Sequence, residues 1–313
     1  MTRHLLSLRD LSVAEVARLL ELAADVKANP SAYASALSGQ AVAMIFAKPS
    51  TRTRISFEVG TRQLGAHPLF LPAGGATGLQ LNRGESNHDT AKVMSRYVDA
   101  IVIRTFAQAQ VEALAEHGSV PVVNALTDAY HPCQALADML TMREHFGTTE
   151  GKTLVYVGPG NNVTASLMLA GPRGGFDVVC ACPEDLPPPA DALAAAREDA
   201  AKAGTRVTVE PDPSRAVADA SVIYTDTWVS MGQEDEAKAL IARLEPYRVT
   251  PELMAHARED AIFMHCLPAH RGEEVAAEVI DGDRSVVFDE AENRLHAQKA
   301  LLLLLMGGAA WTK

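Results

Sequence analysis

Basic residues crowd the point where a predicted strand gives way to a predicted helix. Residues 41–47 form a short apolar run typical of a buried strand, and apolar residues recur at helical spacing from Arg52 onward. This pattern places Ser50 at the N-cap, with Lys48, Arg52 and Arg54 around the first turn. Because a helix N-terminus is already partly positive, each cation there costs between a few tenths of a kcal/mol and about 1 kcal/mol. Together with hydroxyls and backbone N–H groups, these cations indicate a site for a phosphate-sized anion. The alternative is that Ser50 only caps the helix and the arginines are solvated.

The segment His131-Pro132-Cys133-Gln134 is typical of a helix start, because proline is favoured at the first helical position. A histidine at that end is biased toward its neutral form by the helix dipole, so His131 can donate a hydrogen bond to a carbonyl group. Gln134, in the same first turn, can bind an amide. The alternative is that His131 is a capping residue with an ordinary pKa.

A second histidine motif combines a thiol, two imidazoles and a guanidinium in Cys266, His265, His270 and Arg271. Zinc is the first alternative for such residues, but their spacing fits a closed site poorly and no second ligand cluster is evident in the sequence. We therefore predict no metal. The Leu267-Pro268 bond can be cis, which would turn the carbonyl groups of the strand end toward an NH₂ group.

The segment Gly158-Pro159-Gly160 follows a predicted strand and half-matches a dinucleotide-binding fingerprint. The third glycine of that fingerprint would fall at Val163, so the match is incomplete. Asn161 and Asn162 instead offer amide groups to a small polar ligand. A nicotinamide-dependent oxidoreductase is the rival function that this half-match supports.

Asp226 also leaves a predicted strand, in the segment Asp226-Thr227-Trp228-Val229-Ser230-Met231-Gly232. Its carboxylate fits a substrate amine, and the closing glycine can act as a hinge. The alternative is a plain turn.

The composition limits the partners of the chain. It has 313 residues, a formal net charge of -11 and a pI near 5.4, so it lacks the basic surface that nucleic acids or anionic membranes require. Neither a signal peptide nor a membrane-spanning stretch is evident, which predicts a cytoplasmic location. The cysteines show no disulfide framework, and Cys180 and Cys182 are predicted to be buried thiols.

Strand-like apolar runs alternate with helical patterns along the chain, which predicts the α/β class with parallel sheets covered by helices. The predicted strands are 41–47, 99–103, 120–125, 153–157, 176–181, 206–209, 221–225, 261–265 and 285–288. A composition shift near Gly147 predicts two doubly wound domains, 1–147 and 148–289, followed by a helix at 290–313 that packs back on the first domain. Since ligands bind beyond the carboxyl ends of parallel strands, where all of these motifs fall, we expect the active site in the cleft between the domains.

Four motifs resemble the aspartate/ornithine carbamoyltransferase family. Ser-Thr-Arg-Thr-Arg at 50–54 and His-Pro-x-Gln at 131–134 mark the family at large. Asp-x-x-x-Ser-Met-Gly at 226–232 and His-Cys-Leu-Pro at 265–268 are similar to its ornithine-specific branch. The resemblance covers nearly the whole chain. It implies transfer of the carbamoyl group of carbamoyl phosphate to the δ-amine of ornithine without metal or cofactor, in a homotrimer or a multiple of trimers. Another amine acceptor, such as putrescine or lysine, and a catalytically silent homologue are the alternatives.

The resemblance also implies roles for individual residues. Those implied in catalysis are Arg104, His131, Asp226 and Cys266. Those implied in binding carbamoyl phosphate are Ser50, Thr51, Arg52, Thr53, Arg104, His131, Gln134, Cys266, Leu267 and Arg294. Those implied in binding ornithine are Asn162, Asp226, Ser230, Met231 and Cys266, while Gln80 would reach the site of a neighbouring subunit. The sequence departs from the family pattern at Pro159, Asn82 and Ala165, and the substitutions at Pro159 and Ala165 bear on ornithine affinity.

Overall fold

The chain folds into two compact units, each built on a parallel sheet flanked by helices. The computed structural model describes residues 2–73, 85–229 and 237–307. The first unit comprises Met1–Leu140 with Glu292–Lys313, and the second comprises Thr141–Ala291. This architecture agrees with the predicted α/β class, while the domain limits drawn from the sequence stay a prediction. Among the helices within the described ranges, none is long and apolar enough to cross a membrane.

Within the described ranges, the first unit contains four parallel strands in the order β2-β1-β3-β4. The strands are β1 (Ala41–Phe46), β2 (His67–Pro72), β3 (Ala100–Arg104) and β4 (Val122–Leu126). The helices that precede or connect them are α1 (Val13–Ala28), α2 (Arg52–Gln63), α3 (Asn87–Met94) and α4 (Gln108–His117). Helices α5 (Pro132–Phe146) and α12 (Val287–Met306) each contain a limit between the two units.

The order of these strands creates a switch point between β1 and β3. The chain passes from β1 to β2 on one side and then returns to place β3 and β4 on the other. Ala43 and Ile45 of β1 lie beside Ile101 and Ile103 of β3, and all four side chains are buried in one apolar cluster. Loops after strands that flank a switch point diverge and leave a crevice, which is where open parallel sheets bind ligands. The segments that begin at residue 47 and at Thr105 leave the sheet there.

Over its described residues, the second unit contains five parallel strands in the order β7-β6-β5-β8-β9. They are β5 (Thr153–Val157), β6 (Asp177–Ala181), β7 (Val207–Val209), β8 (Val222–Thr225) and β9 (Ile262–His265). Its remaining helices are α6 (Asn162–Gly174), α7 (Ala190–Ala203), α8 (Pro213–Ala216), α9 (Ala237–Leu244), α10 (Pro251–Ala255) and α11 (Ala277–Ile280). The switch point of this sheet lies between β5 and β8, so the segments that follow these two strands leave the sheet side by side.

Two strand predictions were wrong. Strand β2 was not predicted, because it is a partly exposed edge strand that contains Pro68 and Pro72, and proline argues against strands. The predicted strand at 285–288 is absent from the described structure: Ser285 forms a single bridge with Phe263, and α12 already begins at Val287. Acidic residues in the first turn of α12 favour that helix start.

Candidate functional site

Helix α2 begins one residue later than predicted. Its N-cap is Thr51 and not Ser50, because the backbone carbonyl of Thr51 accepts the first helical hydrogen bond, from the N–H group of Ile55 at 3.0 Å. The side chain of Thr51 makes no capping hydrogen bond, and the first turn, which the structure describes in full, holds no acidic residue. The positive end of the helix dipole therefore has no carboxylate from its own first turn, which suits an anionic ligand.

Lys48 and Arg54, near this helix start, have partners within the protein. Lys48 forms an ion pair with Asp128. Arg54 lies 3.4 Å from the Glu58 carboxylate and stacks 3.6 Å from the centre of the Phe70 ring. The expectation that an external anion compensates all three cations was therefore wrong for Lys48 and Arg54.

Thr53 joins two other arginines at the same helix start. Its hydroxyl oxygen accepts hydrogen bonds from Arg104, at the end of β3, and from Arg294, on α12, each at 3.3 Å. Thr53 is only 2% exposed. Since a hydroxyl has two lone pairs and one proton, its proton remains available for an acceptor oxygen. Two guanidiniums and an O–H donor are thereby gathered in the first unit.

Amide side chains hold the Arg294 guanidinium from two sides. The Gln134 oxygen accepts from Arg294 at 2.6 Å. With its amide oxygen facing the guanidinium, Gln298 accepts from Arg294 at 2.9 and 3.2 Å and donates to Ser56 at 2.7 Å. Gln298 was not predicted, although it lies one helical turn after Arg294 on α12, which places both residues on one face.

His131 lies directly before α5, as predicted, and is 4% exposed. Burial lowers the pKa of its imidazole well below the ordinary value, and the positive charges of Arg294, Arg104 and Arg52 lower it further. The predicted neutral imidazole therefore agrees with the structure, although burial and the arginines, rather than the helix dipole, are the causes found here. A neutral imidazole among these cations can donate a hydrogen bond to an anionic ligand without adding a further positive charge.

The lowered pKa of His131 predicts a pH dependence of stability. Below about pH 6.5 the unfolded chain binds a proton at this residue while the folded chain does not. The unfolding free energy therefore has its full value above that pH and declines as the pH falls toward the folded-state pKa. We expect His131→Gln to flatten the decline of the unfolding free energy below about pH 6 by up to about 1.4 kcal/mol per pH unit. Urea denaturation between about pH 7.5 and pH 5.5 measures both slopes, and equal slopes would contradict the prediction.

In the second unit, three donors fix the carboxylate of Asp226, which follows β8 and is 7% exposed. One oxygen accepts from the Cys266 thiol at 2.9 Å and from the Thr227 N–H group at 2.8 Å, and the other accepts from the Asn161 amide at 2.8 Å. Asp226 and Cys266, predicted separately from two motifs, are thus in direct contact. Their carboxylate and thiol form a polar site suited to an amine.

Cys133 contrasts with Cys266. Its buried thiol donates to the carbonyl oxygen of Asn124 at 3.4 Å, and burial raises its pKa to about 12. Cys180 and Cys182 are also buried, as predicted. These three thiols are therefore unsuited to act as thiolates near neutral pH.

Asn161 connects the start of α6 to Asp226. Its amide oxygen caps the helix by accepting from the N–H groups of Val163 and Thr164, each at 2.9 Å, while its NH₂ group holds Asp226. Asn162, the residue that the family resemblance implicates, is the first residue of the helix. The contact of Asn161 with Asp226 was not predicted; its capping position three residues before Thr164 was the available signal.

Close packing explains the second glycine of the segment Gly158-Pro159-Gly160. A β-carbon on Gly160 would lie 2.2 Å from the carbonyl oxygen of Pro187, and its N–H group donates to Leu186 at 2.9 Å. The residue is therefore glycine because two backbone segments meet here. The half-match to a dinucleotide fingerprint needs no nucleotide to account for it.

A buried histidine and glutamate fix the end of β9. The Leu267-Pro268 bond is cis, as the sequence permits, and Leu267 has a φ of 56°, in the left-handed region. The Leu267 N–H group donates to Nδ1 of His265 at 2.8 Å, so the proton of a neutral His265 is on Nε2, which lies 3.3 Å from the Glu274 carboxylate. Because His265 and Glu274 are both fully buried, this pair holds the backbone around Cys266.

Among the described residues, the second unit contains two groups of potential metal ligands, and the side chains within each group lie close together. They are Asp226 with His265 and Cys266, and His270 with Glu273 and Glu274. The fold brings the second group together, although the sequence spacing gave no indication of a second cluster. Most of these side chains already have polar partners within the protein, among them the pairs Asp226 with Cys266, His265 with Glu274, and His270 with Thr227 at 3.1 Å. These hydrogen bonds account for the two groups as polar networks.

The remaining predicted residues are placed as follows. Ser50 and Thr51 directly precede α2, with Thr51 exposed. The Pro159 carbonyl accepts from the Tyr156 hydroxyl at 2.9 Å, and Ala165 is fully buried in α6. Four residues lie outside the described ranges: Gln80, Asn82, Ser230 and Met231.

Comparison with protein families identifies the two halves of the chain. Residues 3–144 match the carbamoyl-phosphate-binding domain of aspartate/ornithine carbamoyltransferases, and residues 150–305 match their aspartate/ornithine-binding domain. The chain belongs to the aspartate/ornithine carbamoyltransferase family. Thr53, Arg104 and Gln134 thus lie in the half that matches the carbamoyl-phosphate-binding domain. Asp226, Cys266 and Arg294 lie in the half that matches the aspartate/ornithine-binding domain, although Arg294 belongs to the first structural unit.

Similar members of the family are named ornithine carbamoyltransferases. The protein of Symbiobacterium thermophilum is 55% identical over 306 residues, covering 97% of this chain and 98% of that protein. The anabolic ornithine carbamoyltransferase of Pyrococcus furiosus is 52% identical over 311 residues, covering 98% and 97%. A solved structure of ornithine carbamoyltransferase from the same organism matches with a TM-score of 0.94, at 52% identity, and covers 98% of this chain and 97% of that one.

Proposed function

We propose that this protein transfers the carbamoyl group of carbamoyl phosphate to the δ-amine of L-ornithine, producing L-citrulline and phosphate. The similarity to ornithine carbamoyltransferases over nearly the whole chain supports this reaction. The structural observation that carries it is the hydroxyl of Thr53 between the guanidiniums of Arg104 and Arg294 at an uncapped helix start. Hydroxyl, guanidinium and N–H donors together match the phosphate and carbonyl oxygens of carbamoyl phosphate.

In this proposal the first unit binds carbamoyl phosphate. The phosphate is held by the start of α2, through Ser50, Thr51, Arg52 and Thr53. Arg104 bridges the phosphate and the carbonyl oxygen, and neutral His131 and the Thr53 hydroxyl also donate to that oxygen. Gln134 accepts from the carbamoyl NH₂ group, and Arg294 binds the same ligand.

The second unit binds ornithine. Asp226 and Cys266 contact the δ-amine, and Asn162 binds the amino acid together with Ser230 and Met231. The backbone carbonyl groups of Cys266 and Leu267 accept from the carbamoyl NH₂ group.

The reaction is an acyl transfer in which positioning is the main source of catalysis. The neutral δ-amine attacks the carbamoyl carbon, a C–N bond forms and the carbonyl electrons move to oxygen. The C–O bond to phosphate then breaks, and the departing phosphate accepts the proton that the amine loses. Aligning two bound substrates can supply roughly 7–11 kcal/mol of the barrier reduction. Arg104, His131 and Thr53 stabilise the charge that develops on the oxyanion.

Exposed apolar side chains support the proposed homotrimer. Ile55 and Val59 on α2, and Val93 and Tyr97 on and after α3, are exposed although they are large and apolar, which is typical of contact surfaces. In the trimer Gln80 reaches the site of a neighbouring subunit. We further propose a cytoplasmic location and a role in arginine biosynthesis, in line with the anabolic Pyrococcus furiosus relative. Sedimentation velocity measures the mass of the assembly, and a monomer would contradict the trimer.

An acceptor panel tests the proposed reaction. The protein is incubated with carbamoyl phosphate and ornithine, putrescine, lysine or aspartate, and carbamoylated product is measured colorimetrically together with released phosphate. We expect citrulline from ornithine and little product from the other amines. Preference for another amine would show that the protein is a carbamoyltransferase with a different acceptor. The absence of product with every amine would indicate a catalytically silent homologue. NADH fluorescence that stays unchanged by the protein would argue against the oxidoreductase rival.

Replacing Gly160 tests whether the close packing at this residue positions the side-chain amides of Asn161 and Asn162. Gly160→Ala forces a β-carbon against the Pro187 backbone, so we expect a loss of about 1–3 kcal/mol of stability. We also expect kcat/KM for ornithine to fall about tenfold, because Asn161 and Asn162 follow directly in the chain. Gly204→Ala is the matched control: Gly204 has a left-handed backbone conformation, and a β-carbon added there would have no neighbouring atom within 4 Å. It should lose about 1 kcal/mol and keep its kcat/KM, and equal kinetics for the two variants would contradict the prediction.

A further inference from the structure

A buried carboxylate lies one helical turn after Gln134 on α5. Asp138 is 1% exposed and Gln134 is 2% exposed, so both side chains are inside the protein. The NH₂ group of Gln134 donates to the Asp138 carboxylate at 2.8 Å. Asp138 is absent from the residues that the family motifs implicate, and it does not belong to the substrate-binding residues proposed above.

Asp138 and Arg294 together select one orientation of the Gln134 amide. A carboxylate can only accept hydrogen bonds and a guanidinium can only donate them. The oxygen of Gln134 accepts from Arg294 at 2.6 Å while its NH₂ group donates to Asp138. Rotating the amide by 180° would set donor against donor at Arg294 and acceptor against acceptor at Asp138. The two neighbours therefore fix which end of the amide carries the oxygen.

We propose that Asp138 is a positioning residue that makes the site specific for an NH₂-bearing acyl phosphate. This inference rests on the proposed function, in which Gln134 accepts from the carbamoyl NH₂ group. An amide oxygen can accept from more than one donor, so the Gln134 oxygen that Arg294 orients is the atom that would accept from the substrate NH₂ group. A methyl group cannot make that hydrogen bond, so Asp138, acting through Gln134, disfavours acetyl phosphate, which has a methyl group where carbamoyl phosphate has NH₂.

Three ligands separate this role from a merely structural one. Dissociation constants for carbamoyl phosphate, acetyl phosphate and inorganic phosphate are measured by calorimetry on the full chain without ornithine. Asp138→Leu removes the acceptor while keeping the number and branching of the side-chain non-hydrogen atoms, whereas Asp138→Asn keeps one acceptor oxygen. We expect Asp138→Leu to reduce the preference for carbamoyl over acetyl phosphate about tenfold or more, with phosphate binding within about twofold of the wild type. Asp138→Asn should restore most of the preference.

A double-mutant cycle tests whether Asp138 acts through Gln134. Gln134→Leu should itself lose the preference, because the acceptor of the NH₂ group is gone. Adding Asp138→Leu to that variant should change the preference by less than about twofold, although it changes it strongly in the wild-type background. Independent, additive losses would overturn the inference.

Other outcomes are equally decisive. A wild-type preference in Asp138→Leu, or an equal loss of affinity for all three anions, would overturn the positioning role. If Asp138→Leu does not fold, Asp138→Ser, whose shorter side chain ends before the Gln134 amide, is measured in its place with the same expectation. Failure of the proposed function is distinguishable, because it would appear as wild-type protein that neither binds carbamoyl phosphate nor forms citrulline.

Discussion

Replacing Arg104 with alanine is expected to lower kcat for citrulline formation by about 100- to 1,000-fold at saturating substrates. Arg104 donates to the Thr53 hydroxyl and lies at the end of β3, where it is proposed to bridge the phosphate and the carbonyl oxygen of carbamoyl phosphate. Its charge stabilises the oxyanion more than the neutral carbonyl, so its loss acts mainly on the transition state. Initial rates of citrulline formation at several concentrations of each substrate measure the effect.

Arg206→Ala is the matched control for Arg104→Ala. Arg206 is 80% exposed and pairs with Asp177 at 2.7 Å, so its removal costs one surface ion pair. We expect its kcat to stay within about twofold of the wild type, because Arg206 is not among the proposed binding residues. Its stability should also change little, since exposed ion pairs contribute little to it. Thermal unfolding of both variants shows whether the fold is intact. An Arg104→Ala protein that is folded and retains wild-type kcat would contradict the assigned role.

Apolar runs in the sequence predicted most of the strands that position the site. Eight of the nine strands in the described part of the chain were predicted from their apolar runs, because parallel strands buried on both faces are apolar throughout. The motifs after β1, β3, β5 and β8 then necessarily emerge at one edge of their sheets, since all strands of a parallel sheet point the same way. The observed strand orders place these four segments at the two switch points, a feature that the sequence alone did not specify.

The sequence could not predict which side chains the cations near the start of α2 would contact. Arg54 was predicted to face an anion, but it stacks on Phe70 of β2, the one strand that was missed. Lys48 pairs with Asp128, 80 residues away along the chain. Neither partner follows from local spacing, because both depend on how separate elements pack.

Buried amides and acids were missed for a different reason. Asp138 lies among apolar residues of α5, and Gln298 lies in a mixed stretch of α12 beside Lys299. Each lies one helical turn after a predicted site residue, but many helical residues do, so this spacing alone did not single them out. Only the structure shows that each contacts a residue of the proposed site: Gln298 contacts Arg294, and Asp138 contacts Gln134. Such residues are polar and buried, so they require partners, and their partners here are functional side chains.

Asp226→Asn is expected to lower kcat/KM for ornithine by about 100- to 1,000-fold, equivalent to about 3–4 kcal/mol of transition-state stabilisation. The wild-type carboxylate accepts from Cys266, Thr227 and Asn161, whereas an asparagine offers one oxygen and an NH₂ group that faces one of these donors. The substitution also removes the negative charge proposed to orient the δ-amine. Initial-rate kinetics with varied ornithine measure the loss.

The affinity for carbamoyl phosphate should change little in Asp226→Asn, because the donors proposed for its phosphate belong to the first unit. The groups of Cys266 and Leu267 proposed for its NH₂ group are backbone carbonyls, which the substitution keeps. Asp199→Asn is the matched control: its carboxylate is also in the second unit, is 14% exposed and pairs with Arg173 at 3.1 Å. This control loses a partly buried ion pair and should therefore lose stability while keeping its kcat/KM for ornithine. If both variants lost activity in proportion to their stability, Asp226 would have a structural role only. A selective loss of ornithine turnover, with carbamoyl phosphate still bound, is the outcome that the contacts of Asp226 predict.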